Sequence, residues 1–234
     1  MMCRALAALL ALLFVSAEAG AHDHPNDAAP YGSPTMANDF FAHVFVNELE
    51  WQSADRLAWD AEGWAGSDIN QLALRSEGDS EKGASSQNEL LYRRALTAFF
   101  DGTAGMREDS GPHAHRTWAG AGVEGVAPYF LAVSGTLYVS DAAHVTGKLS
   151  ASEEVAITQN VTGELRLQAQ LYSRAEPADE APAWQPQLQA GVRVRYAISR
   201  RFTPYLGLTY EREQTQSVNA REGWHGLLGL RAWF

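Results

Sequence analysis

The chain is almost without cysteine: Cys3 is the only one. It stands ahead of an apolar run, Ala5 to Val15, which with Arg4 reads as a secretory signal, and Ala17-Glu18-Ala19 and Ala19-Gly20-Ala21 offer two cleavage sites. Loss of residues 1–21 would take the thiol with it, excluding disulfides, thiolate metal sites and a cysteine lipid anchor at the cleavage point. No second long apolar run follows, so no membrane-spanning helix is expected. Isoleucine is sparse too, whereas the shared core of a soluble sandwich is usually heavy in Val, Ile and Phe. A basic surplus is also missing: the net charge of −10 argues against nucleic acid as a partner.

What is present is alternation. The stretch from His22 to Asn38, "HDHPNDAAPYGSPTMAN", is rich in Pro, Asp and Ala, and residues 22–39 read as a flexible arm on the periplasmic side. From Phe40 a period of two recurs. Leu165, Leu167, Ala169 and Leu171 alternate with Glu164, Arg166, Gln168 and Gln170. Leu188, Ala190, Val192, Val194 and Tyr196 alternate with Gln189, Arg193 and Arg195. The last residues set Leu228, Leu230, Ala232 and Phe234 against His225, Arg231 and Trp233. Segments of roughly ten residues with one apolar and one polar face, separated by turns, describe an antiparallel transmembrane β-barrel over residues 40–234. Aromatics near segment ends, among them Trp51, Trp59, Trp118, Tyr129, Phe130, Tyr205 and Trp233, fit the two interfacial belts. Lipid would then cover the apolar face.

Twelve strands are expected, at about 40–52, 55–65, 68–77, 88–95, 97–107, 116–126, 129–140, 143–157, 161–174, 187–199, 202–214 and 222–234. The even-to-odd connections are short. Four odd-to-even ones are long and polar: "GDSEKGASSQ", "EDSGPHAHR", "AEPADEAPAWQP" and "EQTQSVNARE". Short periplasmic turns and long outer loops suit a bacterial barrel with both termini inside. The connections after the first and seventh strands are short as well, which leaves a count of ten open.

With the polar parity inward, Glu48, Glu50, Asp60, Glu62, Glu89 and Arg93 enter the lumen from the first four strands. Arg166, Arg193, Arg195, Glu211 and Arg231 enter from the last four, together with His225. They read either as a paired network filling a narrow barrel or as an acidic wall for cations. Of seven histidines, His22, His24, His43, His113, His115 and His225 are candidate metal ligands, together with Met36, while His144 sits at a strand end. The same parity turns His43 and His144 toward lipid. Cleavage after Ala21 would make His22-Asp23-His24 the N-terminus, where an amine, two amides and an imidazole form the square-planar set that Cu(II) favours.

The blocks "NELEWQSADRLAWDAEGWAG", "ELLYRRALTAFFDGTAGMRED", "TWAGAGVEGVAPYF" and "RFTPYLGLTYER" resemble the copper resistance protein B family, from about Asn38 to Phe234. The resemblance implies an outer-membrane barrel that binds copper ions and supports copper tolerance by sequestration or export. It implies as partners outer-membrane lipid, the assembly machinery that reads a terminal aromatic, and a periplasmic copper protein. Family members often carry a long Met- and His-rich N-terminal region; here only His22, His24 and Met36 precede the first strand. Two other functions stand beside this one: a structural or pore-type barrel without metal, and an outer-membrane lipid hydrolase. The hydrolase would need an outward Ser/His pair, and no Gly-x-Ser-x-Gly occurs. No enzyme activity is expected.

Overall fold

The computed structural model describes residues 40–53, 56–80, 85–111, 115–141, 143–173, 186–199, 201–213 and 221–234. The expected signal and arm, with His22, His24 and Met36, lie outside them, as does His113. The rest is one closed antiparallel barrel of twelve strands in which every strand pairs with its sequence neighbours and the last pairs with the first. The strands are β1 (Phe41–Gln52), β2 (Arg56–Gly66), β3 (Asn70–Asp79), β4 (Ser86–Ala95), β5 (Phe100–Ser110) and β6 (His115–Ala127). Then follow β7 (Leu131–Ser140), β8 (Val145–Ala156), β9 (Val161–Tyr172), β10 (Gln187–Tyr196), β11 (Phe202–Glu213) and β12 (Arg221–Trp233).

Closure explains the long apolar face without a cover. Leu167, Leu206 and Leu228 are each at least 60% exposed on the outside of the wall, in the band that lipid occupies. Short turns lie at the end that carries both termini, the periplasmic end of such a barrel. Four of them use one device, a hydroxyl that accepts a backbone N–H three residues on. Ser67 accepts from Asn70 (3.3 Å), Thr97 from Phe100 (3.0 Å), Thr158 from Val161 (3.0 Å) and Ser199 from Phe202 (3.2 Å). The fifth turn is built differently: Pro128–Phe130 makes one 3-10 turn, with Tyr129 and Phe130 at positive φ (68° and 61°) and both rings outside.

Two of the four polar loops are shorter than the sequence suggests. Ser86 pairs with Gly78 and Ser110 with His115, so the hairpin ladders run on into "GDSEKGASSQ" and "EDSGPHAHR". Polar residues continue a strand freely once it clears the lipid band. A second departure lies in β1. Phe45 faces Glu62 and Glu48 faces Asp60, so Asn47 is an extra residue in a β-bulge. One inserted residue inverts the parity below it. His43, set toward lipid by simple alternation, therefore faces the interior opposite Trp64.

Candidate functional site: the charged interior

Inward positions on neighbouring strands set carboxylates beside arginines, and the planar guanidinium fork holds two acids at once. Near the periplasmic end, Arg75 reaches Glu62 (2.5 Å) and Glu124 (2.6 Å), and Arg93 reaches Glu62 (2.8 Å) and Glu124, closing a four-membered box. At the same end Arg195 pairs with Glu154 (2.5 Å) and Glu164, while Arg231 shares Glu154 at 2.9 Å. Near the outer end Arg56 bridges Glu211 (2.7 Å) and Asp79 (3.1 Å).

At mid-height the pairs cross the lumen. Arg166 of β9 reaches Glu48 of β1 and Asp60 of β2, the latter at 3.3 Å. Arg193 of β10 holds Glu50 at 2.7 Å and Glu48 at 3.2 Å. Glu50 is 1% exposed and also accepts from the Tyr205 hydroxyl at 3.1 Å. That ring lies over Gly229, where a Cβ would come within 2.4 Å of it, so the absence of a side chain is what lets the phenol reach Glu50. Lys148 of β8 pairs with Glu77 of β3, almost straight across.

Against the wall of β5 to β9 sits a fully enclosed cluster. The Arg107 guanidinium donates to Asp109 twice (2.5 and 2.7 Å) and to the Tyr172 hydroxyl (3.1 Å). It stacks 4.9 Å from the Tyr138 ring centroid and 5.9 Å from that of Trp118, whose indole donates to Asp109 at 2.7 Å. Tyr138 in turn donates to Glu89 (2.6 Å), and its ring fills the space that a Cβ on Gly120 would need.

Cavities remain between these groups. A vestibule of about 450 Å3 runs from Lys148 and Arg166 down to Asp101, Val126 and Ala132 beside the periplasmic turns. Another of about 430 Å3 at the periplasmic mouth is lined by His43, Phe45, Arg195, Arg231 and Trp233. A smaller one of about 130 Å3 lies near the outer end, between Arg56, Glu211 and the Gln170 and Gln187 amides. Among the described residues inward carboxylates outnumber inward cations, and Glu89 and Asp101, both on the vestibule, make no ion pair; Arg75 and Arg107 stand opposite Glu89 but bond other acids.

The positions read from the sequence as lumenal charges, Glu48, Glu50, Asp60, Glu62, Glu89, Arg93, Arg166, Arg193, Arg195, Glu211 and Arg231, all stand on inward positions of their strands. The described histidines do not gather. His43 is at the periplasmic mouth, 5.0 Å from the Trp64 ring. His225 faces Thr209 inside β12, and His144 precedes β8 at the outer end. His115 lies outside, its Nδ1 3.0 Å from the Ser110 hydroxyl. Among the described residues no three His, Cys, Asp or Glu side chains converge as a metal centre. Arg75, Glu77, Arg107, Asp109, Glu124 and Lys148 stand beside these expected lumenal charges without having been among them. Their parity could be read in β8, where Lys148 follows Thr146 on the polar face. In β5 it is hidden, because Glu108 points out beside Met106.

Residues 40–234 match the family described as Copper resistance protein B precursor (CopB). The chain is 34% identical over 209 residues to the Copper resistance protein B homolog of Pseudomonas syringae pv. tomato, a match covering 82% of this chain and 70% of that relative. It is 29% identical over 203 residues to Copper resistance protein B of Escherichia coli, covering 82% and 69%. Among solved structures the NanC porin superposes with a TM-score of 0.55 at 11% identity, over 82% of this chain and 99% of that one, a likeness of fold alone. A match that spans the whole barrel, on a wall built to face lipid, places the chain in the copper resistance protein B family of the bacterial outer membrane, with a role in copper resistance.

Proposed function

We propose that the barrel handles copper ions as cargo at the outer membrane, taking them from the periplasmic side and moving them toward the outside. The observation that carries this reading is the surplus of carboxylate over cation among the described residues of the inner wall, with Glu89 and Asp101 facing the vestibule outside any ion pair. Such a wall attracts metal cations and repels anions. Export fits better than bulk storage, because the described histidines stand apart. Capture would fall to His22 and His24 of the arm, with Met36, His43, His113, His115 and His225 as further ligands. A periplasmic copper protein would supply the ion at the mouth beside His43. The barrel acts without catalysis on this reading. Ser110 and His115 form an outward Ser/His pair, but no described acid or amide bonds the second ring nitrogen, as a hydrolase would require.

The test is titration of the detergent-folded protein with Cu(II) and Cu(I), with and without residues 22–38, beside copper tolerance of a deletion strain. Binding lost with the arm assigns capture to His22 and His24. Binding that survives moves it to the barrel. No binding in either form, with tolerance unchanged by deletion, overturns the proposal and leaves a pore-type barrel.

A further inference from the structure

The inner wall uses arginine almost everywhere. Arg56, Arg75, Arg93, Arg166, Arg193 and Arg195 each bridge two carboxylates. Lys148 is the lysine among these cations: its ammonium contacts one carboxylate, Glu77, and unlike Arg107, which also holds one, it is not enclosed by aromatic rings. The pair joins β3 to β8, five strands apart on a wall of twelve, so it lies across the lumen rather than along it. Its position is also singular. The vestibule, which Lys148 lines, extends toward the periplasm, and the outer cavity lies on the other side; Gln168 lines both. Lys148 and Glu77 both stand toward the outer ends of their strands, so the pair crosses the lumen on the side of the vestibule that faces the outer cavity, beside the Arg166–Glu48 contact, and forms a neck of any path between the two spaces. A lysine ammonium is a strongly hydrated point charge on a flexible stem, without the guanidinium's second point of attachment. It can leave one carboxylate at much smaller cost than a bridging arginine can leave two.

The geometry points to a function for this pair: Lys148 is a tethered cation that occupies the permeation path at its neck, and Glu77 is the site it shares with passing cations. A mobile cation that competes for Glu77 frees the ammonium, which swings along the vestibule wall toward Ser150 and Asp101 and opens the neck. Anions gain nothing from the exchange, so the barrel passes small cations and stays closed to anions. This extends the transit reading above, but it concerns inorganic cations in general. It is therefore tested with K+, and its failure would leave copper binding by the arm untouched.

The experiment is conductance of the full folded chain in planar bilayers under a KCl gradient, with folding checked by heat-modifiable gel mobility. Lys148→Met should raise conductance several-fold and move the reversal potential toward that of K+. Glu77→Gln, which leaves Lys148 without its carboxylate, should move it toward that of Cl−. The double exchange Lys148→Glu with Glu77→Lys should return conductance to the wild-type level. Wild-type conductance and selectivity in Lys148→Met would overturn the assignment. If that variant does not fold, unchanged selectivity in Glu77→Gln overturns it equally.

Discussion

Two basic residues of the same interior, Arg107 and Lys148, are held in opposite ways. Arg107 has no exposed surface; two bonds to Asp109, one to Tyr172 and two aromatic faces leave it nowhere to go. Lys148 has one carboxylate and a cavity beside it. Charge in a barrel lumen thus does two jobs. Around Arg107 it packs with Trp118, Tyr138 and Tyr172 into an enclosed core, since most apolar residues are spent on the lipid face. Around Lys148 it leaves room for rearrangement. A buried, fully bonded pair is costly to break on one side only, whereas a partly wet pair contributes little.

That contrast can be broken in order of expected effect. Asp109→Ala removes both carboxylate bonds of the fully buried Arg107 and should cost about 3–5 kcal/mol, read as a lower urea midpoint for the folded barrel. Loss within about 1 kcal/mol would mean that the Tyr172 hydroxyl and the aromatic faces hold the guanidinium without Asp109. Next in size is a charge placed on the outer face. Leu228→Arg, midway along β12, should cost about 2–4 kcal/mol, whereas Phe234→Arg near the interface should cost no more than about 1 kcal/mol. Equal costs would move the lipid band away from the height of Leu228. Lys148→Met should lower stability by no more than about 1 kcal/mol while changing conductance, so energy and transport would separate at this residue. Smallest is Ser110→Ala, which removes an exposed hydroxyl–imidazole bond; copper tolerance and unfolding midpoint should both match the parent chain.

The fold was legible in the sequence because its signal is the same length everywhere. β9 and β10 alternate without interruption from Glu164 and Gln187 on, and lipid outside with acid and arginine inside leaves no other period to compete. The bulge was not legible, since one residue among twelve in β1 shifts the parity without changing the composition. Asn47 is the residue that could have signalled it: an amide with poor strand propensity between Val46 and Glu48. The interior site was legible in part. Parity finds which residues point inward but not which of them meet across the lumen, and Lys148 with Glu77 is a contact between strands far apart in sequence. The mouth around His43 was lost with the bulge.

The seam between β1 and β12 has a consequence for how the barrel forms. The Val44 and Phe234 backbones exchange two hydrogen bonds (3.1 and 2.9 Å), joining the first strand to the last residue. All other pairings are hairpins, which can zip as local events; this one must wait for a loop of the whole chain to close, and such contacts are slow to form. Until then both edges stay unpaired and open to any other strand. The bulge at Asn47 touches the same seam, where the register shifts between Val46 and Leu49, and a bulge resists sliding because it fits only one partner position. Removing Asn47 should therefore slow productive closure and favour misregistered or intermolecular pairing, even where the finished barrel is scarcely less stable.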